Sequence, residues 1–175
     1  NHAAASSSVS ADLVFATKTS GVGGGADIKM RVTEAGVLSL TQGQIKFPAT
    51  QVPSADANTL DDYEEGTWTP TDGSVAGLSL TIGYARYTKI GRVVQYEAQI
   101  TYPVTASGAN ATISGLPFNA ANNTSGMIIY SDAALSAATY LSGSGANIYI
   151  LTPGVNVTNA GVSGKLFIIT GMYSV

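Results

Sequence analysis

A regular succession of short apolar stretches and turn residues is the feature that most constrains how this chain can fold. The stretches follow one another from Trp68 to the last residue, and Gly, Asn and Pro separate them at a spacing of roughly 8–12 residues. In the stretch RVVQYEAQITY, Tyr96 and Ile100 fall on one face, whereas Gln95 and Gln99 fall on the other. Such period-two alternation is typical of half-buried strands. The pattern predicts an all-β sandwich or barrel.

The upstream part of the chain is built differently, and the sequence predicts four regions. Residues 1–11 are small and polar and are interpreted as a linker. Residues 12–57 hold brief strand candidates such as DIKMRV, VLSL and QIKF, which carry too few apolar residues to close a core. The simplest partners for these strands are copies of the same segment in other subunits. Residues 58–70 form a junction, and residues 71–175 form the β-rich head.

Composition excludes several classes of protein. Only 11% of the residues are charged, but 45% are hydrophobic, so the chain can bury a core and is not expected to be disordered. The net charge is -3 and the eight basic residues are scattered, which argues against nucleic acid as a partner. There is no cysteine, and no apolar run approaches the roughly 20 residues of a membrane span. The absence of an initiator Met suggests a fragment or a processed product.

Four carboxylates crowd into the segment DDYEEGTWTP, at Asp61, Asp62, Glu64 and Glu65. Clustered carboxylates can ligate Ca²⁺, or serve as acid and base in glycoside hydrolysis. However, the segment lacks the D-x-D-x-D-G spacing of a calcium loop and has a turn-like setting between prolines. The favoured interpretation is a solvated linker whose carboxylates cap a turn or meet Lys and Arg of a neighbouring subunit. Metal binding and catalysis stay open as alternatives.

Other sequence motifs lack the structural context that catalysis or cofactor binding would need. The segment GVGGGA at 21–26 matches a dinucleotide pattern, but a strand-like DIKMRV follows it where a helix is needed. The chain's one histidine, His2, lies in the expected linker, and no nucleophile elbow is present. The segment 131–141 has helical composition but could equally be a loop. We therefore expect no enzymatic activity, no cofactor and no metal.

Aromatic and amide side chains are the remaining candidates for binding chemistry. Sugars stack on aromatic rings and hydrogen-bond to amides, hydroxyls and carboxylates, usually in loops on a rigid scaffold. We predict a contact surface in the loops at 103–112, 119–126 and 131–147. The individual residues expected to contact a glycan are Tyr102, Asn122, Asn123, Asp132 and Tyr140.

Residues 59–175 resemble, in order, the distal region of tailed-bacteriophage tail fibres and tail spikes. The resemblance rests on TLDDYEEGTWTPT, ARYTKIGRVVQYEAQIT, ISGLPF and the terminal GMYSV. The upstream DIKMRVTEAGVLSL also resembles the strand-turn-strand stems that often precede this region. The resemblance implies a homotrimer in which a short intertwined β-stem leads to a compact antiparallel β-sandwich, or jelly-roll-like, head.

The same resemblance implies a function and a location. Such a chain sits at the fibre tip of a virion, outside the cell, and is joined to upstream fibre or baseplate proteins. It binds a host cell-surface glycan or outer-surface protein during adsorption, with no membrane insertion. At the junction, Trp68 and Tyr63 would anchor the head against the stem or a neighbouring chain, and Asp61 and Asp62 would cap a turn.

Three other functions stay open on the sequence alone. The domain could only nucleate and cap the trimer, without binding a receptor. It could degrade polysaccharide, with Glu97, Asp132 or the acids at 61–65 sharing a site between chains. It could also be a bacterial adhesin unrelated to phage.

Overall fold

The computed structural model describes residues 11–17, 26–41, 43–132, 138–142, 145–152 and 155–175. Three features discussed above lie wholly or mostly outside them: His2, the glycine-rich segment at 21–26 and the centre of the candidate helical turn at 131–141. Within the described part of the chain, no helix is long and apolar enough to cross a membrane.

The chain divides into two compact units, Asn1–Lys46 and Phe47–Val175. The division comes earlier than the predicted end of the stem at residue 57. Two contacts show why the segment after Lys46 groups with the second unit. The Ser54 amide donates to Asp61 Oδ2 at 2.8 Å, and Lys89 Nζ donates to the Gln51 side chain at 3.3 Å.

The first unit contains a three-stranded antiparallel sheet in the order β1 (Leu13–Thr17), β2 (Asp27–Val32) and β3 (Leu38–Leu40). The strand predicted in DIKMRV is confirmed as β2. None of the described side chains of this unit is buried. Leu13 is 60% exposed and Phe15 is 50% exposed. The described part of this sheet therefore has no core of its own.

Ten further strands form the second unit, with one short 3-10 helix at Asn159–Val162 among the described residues. These strands are β4 (Tyr63–Thr67), β5 (Thr71–Asp72), β6 (Thr81–Ile90), β7 (Val93–Thr101), β8 (Thr112–Ser114), β9 (Thr124–Ser131), β10 (Ala138–Leu141), β11 (Ile148–Thr152), β12 (Val155–Asn156) and β13 (Leu166–Ser174). All of their pairings are antiparallel. The all-β prediction is confirmed; the sandwich or jelly-roll detail and the trimer stay predictions.

The ten strands make one sheet in the order β4-β6-β7-β13-β9-β10-β11-β8-β5, with β12 paired to β11. Its two edge strands, β4 and β5, are consecutive in the chain and are joined by residues 68–70. Since an extended residue spans at most about 3.6 Å, the joined ends of these strands lie within about 15 Å of each other. The sheet therefore curls until its edges approach. Gly115 permits this closure, because a Cβ there would lie 2.1 Å from the Thr69 carbonyl oxygen.

Alternation along β7 determines which side chains enter the core. Val94, Tyr96, Ala98 and Ile100 are each at most 1% exposed, as the period-two pattern predicts. The turn that leads into β7 contains Gly91 at φ 54, a backbone conformation that glycine adopts without strain. The hairpin of β6 and β7 thus presents one face to the core and the other outward.

The ring of Tyr96, which belongs to β7, reaches across the neighbouring strands β13 and β9 on the inner face. A Cβ on Gly171 would lie 2.6 Å from the Tyr96 hydroxyl oxygen, and a Cβ on Gly126 would lie 2.7 Å from it. Glycine at both positions leaves room for the ring to reach across β13 and β9 toward Thr139 of β10. The Trp68 ring lies nearly perpendicular to the same ring, at a centroid distance of 6.1 Å. The Tyr96 ring therefore links β7 to β13, to β9 and to Trp68 in the segment between β4 and β5.

Candidate functional site

The acidic cluster of the sequence separates into individual contacts rather than one site. The Asp62 carboxylate forms an ion pair with Lys89 in which the two side chains are 7% and 4% exposed. Lys89 Nζ also lies 5.6 Å from the centre of the Phe118 ring. The expectation that this aspartate is solvated is therefore wrong: β4 pairs with β6, and the pairing carries Asp62 into the interior beside the lysine. Asp61 stays near the surface, where the Ser54 amide bonds to it and lowers its pKa.

The two glutamates of the cluster point to opposite faces of β4. Glu64 accepts a hydrogen bond from the Tyr87 hydroxyl on the inner face, and Glu65 accepts one from the Tyr63 hydroxyl on the outer face. Burial, followed by the bond to Glu64, raises the pKa of Tyr87 to about 12. No group of three or more His, Cys, Asp or Glu side chains that could hold a metal ion occurs among residues 43–132 or elsewhere in the described chain.

Trp68 belongs to the core of the second unit. Its side chain is 7% exposed, and its indole N–H donates to the Glu97 carbonyl at 3.4 Å. The expectation that it contacts a neighbouring chain is wrong, because this burial leaves little of the ring for another chain; its anchoring of the head against the stem stays a prediction. Tyr63 is 41% exposed and tilts against Phe47 at a ring distance of 6.3 Å.

Tyr102 cannot serve as a surface contact. Its side chain is 1% exposed and packs edge-on against Phe167 at a centroid distance of 6.0 Å. Burial, with a smaller contribution from the Asp72 charge, raises the pKa of its hydroxyl. The prediction of a glycan contact at this residue is wrong because Tyr102 continues the inward alternation of β7 beyond the end of the strand.

The other four predicted contact residues do not converge. Asn122 and Asn123 precede β9, and Tyr140 pairs with Ser125 at the same end of that strand. Asp132 follows the opposite end, where its carboxylate accepts a hydrogen bond from the Leu166 amide at 2.8 Å. Since a strand rises about 3.3 Å per residue, β9 separates the two groups by roughly 25 Å. One compact site containing all four residues is therefore excluded within a single chain.

The outward face of the curled sheet brings other side chains together, and its composition changes across the sheet. We call the outward side of β4, β6 and β7 the polar half. Its polar and aromatic members, placed by strand register and alternation, are Tyr63, Glu65, Thr67, Tyr84, Arg86, Thr88, Gln95, Glu97 and Gln99. Two exposed apolar side chains, Ile90 and Val93, lie on the same side at the hairpin turn. The outward side of β13, β9, β10 and β11 is the apolar half. Its nonpolar and aromatic members are Met127, Ile129, Tyr130, Ala138, Tyr140, Tyr149, Leu151, Ile168 and Met172.

A groove of about 550 Å³ runs over the polar half. Arg86 and Glu97 lie in it as an exposed ion pair with an N–O distance of 2.8 Å. The guanidinium carbon of Arg86 also lies 4.9 Å from the centre of the Tyr84 ring. Glu65 and Gln95 line the same groove. The groove therefore offers a cation, carboxylates, an amide and a neighbouring aromatic ring on rigid strands.

Sequence reasoning searched the loops and missed this surface, although the signal was present. After Val93, the outward positions of RVVQYEAQITY are Gln95, Glu97, Gln99 and Thr101, and these polar side chains could have been proposed as a binding face. Only the pairing of β7 with β6 shows that Arg86 lies directly opposite Glu97.

Comparison with known proteins does not assign this chain to a family. No protein-family model, no curated protein and no solved structure matches it.

Proposed function

We propose that this chain is the receptor-binding tip of a tailed-phage fibre, and that it binds a host-surface glycan through the polar half of its outward face. The observation that carries the proposal is the groove with the Arg86–Glu97 pair beside Tyr84. The biological setting comes from the sequence resemblance to distal tail-fibre regions.

The chemistry of the groove suits hydroxyl-rich ligands. A guanidinium donates several hydrogen bonds in a plane, a carboxylate accepts several, and an amide does both. Arg86, Glu97 and Gln95 provide one of each on adjacent strands, and the ring of Tyr84 adds an apolar surface. The groove volume lies within the range of about 300–1,000 Å³ that is usual for ligand sites. Its exposed position fits a weak contact with a large polymer.

Assembly of identical chains completes the proposal. The described strands of the first unit have exposed apolar side chains such as Leu13, Phe15 and Leu38 and no buried ones. A short sheet of this kind requires another surface to cover it. Copies of the same strands in a homotrimeric stem would supply that surface, and upstream fibre or baseplate proteins would continue it. Three weak glycan sites on one tip would act together by avidity.

Binding of the purified full chain to immobilised bacterial surface polysaccharides tests the glycan site. We expect Arg86→Ala and Glu97→Gln each to reduce binding by at least about tenfold, the equivalent of one lost charge-assisted hydrogen bond. Arg92→Ala is the matched control, since this exposed arginine lies at the turn before β7 and outside the groove. The melting temperature should barely change, because exposed ion pairs contribute only about 0–1 kcal/mol.

Three outcomes contradict parts of the proposal. Unchanged binding in both groove variants removes the polar half as the contact surface. A folded assembly that binds no polysaccharide favours a purely structural fibre cap. Release of reducing sugar that disappears in Glu97→Gln favours a polysaccharide-degrading enzyme.

A further inference from the structure

Charge is distributed unevenly over the second unit. From Tyr102 to the last residue the sequence contains only two charged side chains, Asp132 and Lys165. Neither lies within β13, β9, β10 or β11. The polar half, by contrast, carries Glu65, Arg86 and Glu97. The outward face is thus divided into a charged surface and a continuous uncharged one.

The uncharged surface is also strongly apolar and exposed. Met127 and Met172 are each 60% exposed, and Ile129 and Tyr130 are each 54% exposed. Ile129 is the extra residue of a β-bulge, where the pairing of β9 with β13 shifts register. The bulge places Ile129 and Tyr130 together at one end of the apolar half. Large apolar side chains normally occur singly on the surface of a monomer, and contiguous groups of them mark interaction surfaces.

We propose that the apolar half is the surface on which a second copy of this chain packs in the assembled head. The inference rests on the proposed assembly of identical chains and names the face of the head that takes part in it. Sheets pack face to face at about 10 Å through interdigitating apolar side chains. Met127, Met172 and Tyr130 are side chains of the type that is enriched in the cores of protein interfaces.

Charge favours a copy of the chain over a different partner. Each chain carries a net charge of -3, so two copies repel wherever their acidic surfaces meet. The described strands of the apolar half hold no charged residue, so two such faces can approach without like-charge repulsion. They also offer no charge that would select a basic or acidic partner. An uncharged apolar face can therefore meet the same face of further copies without electrostatic cost.

The apolar half is too small to form a stable interface by itself. Four strands spaced about 4.8 Å apart, with roughly six residues rising 3.3 Å each, cover about 400 Å² in plan. A stable interface buries about 800 Å² on each partner. The apolar half therefore supplies part of the contact, and the exposed strands of the first unit supply another part. Assembly should accordingly depend on both units.

Oxidation of the chain's methionines by hydrogen peroxide tests the proposal without any mutation. The full chain is treated at a concentration where light scattering gives its mass, and the sites are quantified by mass spectrometry. Met127 and Met172 should oxidise rapidly if their 60% exposure persists in solution. We expect a mass near three times 17.8 kDa and the loss of most oxidation at both sites, relative to the chain unfolded in urea.

A charge substitution provides the second measurement. Met127→Glu and Met172→Glu should each lower the assembled fraction at least about tenfold and make the other methionine of the apolar half reactive. Thr67→Glu is the matched control, since it adds the same charge at an exposed position of the polar half. Its mass and oxidation pattern should match those of the unaltered chain. Circular dichroism reports whether each variant is folded. If a variant does not fold, the oxidation of the unaltered chain still tests the proposal.

Three results would overturn the proposal. One is a monomeric mass for the unaltered chain at high concentration. Another is an assembled chain whose two methionines oxidise as fast as in urea, which places the interface elsewhere. The third is folded Met127→Glu and Met172→Glu variants that keep the full mass. Loss of polysaccharide binding with protected methionines leaves this inference intact and contradicts only the proposed receptor function.

Discussion

The ion pair between Asp62 and Lys89 gives the sharpest test of how the start of β4 is held. Both side chains are almost fully buried, and Lys89 Nζ also donates to the Gln51 side chain at 3.3 Å. Lys89→Met removes the cation while keeping most of the side-chain volume. It leaves the Asp62 carboxylate in the interior without its counter-charge. Asp62→Leu creates the reverse situation.

Each single substitution should lower the free energy of unfolding by about 3–5 kcal/mol, which is the usual cost of breaking a buried pair from one side. The double variant Asp62→Leu with Lys89→Met should regain most of that loss, because two apolar side chains of similar volume need no compensating charge. The coupling energy between the two positions should therefore exceed about 2 kcal/mol.

Urea denaturation followed by tryptophan fluorescence is the suitable assay. The protein's single tryptophan, Trp68, is buried beside Tyr96 in the same unit, so its emission reports on the relevant core. Urea leaves electrostatic interactions unscreened, whereas guanidinium chloride adds salt. Arg86→Ala is the control, since it breaks an exposed pair of 2.8 Å and should cost no more than about 1 kcal/mol.

Two results would refute this reasoning. Losses below about 1 kcal/mol in both single variants would mean that the pair is hydrated and behaves like a surface contact. Losses that simply add in the double variant would mean that the two side chains stabilise the fold independently.

Three further predictions concern the core. Trp68→Ala should destabilise the protein by about 3–5 kcal/mol, with a lower melting temperature as the readout, and an unchanged melt would contradict its placement in the core. Gly171→Ala should cost about 1–3 kcal/mol, because its Cβ would meet the Tyr96 ring within 2.8 Å; Gly108→Ala, with open space around it, should stay within about 0.5 kcal/mol. Burial raises the pKa of Tyr87 and of Tyr173 to about 12, above the ordinary phenol value of about 10, so stability should hold up to about pH 10 and fall as the pH rises toward 12. Phenolate absorbance followed together with circular dichroism checks this sign, and a rise in stability over that range would contradict it.

Strand formation and the inward face of β7 could be predicted from the sequence. The alternation around Tyr96 is a local property, since successive side chains of any strand point to opposite faces. The same argument predicted β2 in the first unit. It also predicted that the first unit lacks enough apolar residues to close a core, which agrees with the absence of buried side chains among its described residues.

Burial at particular positions depended on pairing between distant parts of the chain. Asp62 was predicted to be solvated because its segment has a turn-like setting between prolines, yet β4 pairs with β6 and carries it to Lys89. Tyr102 was predicted to lie at a contact surface because it stands at the end of a strand candidate. Instead its ring packs on Phe167 of β13. Nothing local in the sequence indicates either partner.

The surfaces were likewise decided by the tertiary structure. The sequence by itself determined that the chain forms short strands, has few charges and can bury a core. Strand order then placed Arg86 of β6 against Glu97 of β7, and gathered the uncharged strands into one continuous face. Strand order is set by contacts between residues far apart in the chain, whereas periodicity is set by neighbours. For that reason the sequence alone predicted the elements but not which side chains they bring together.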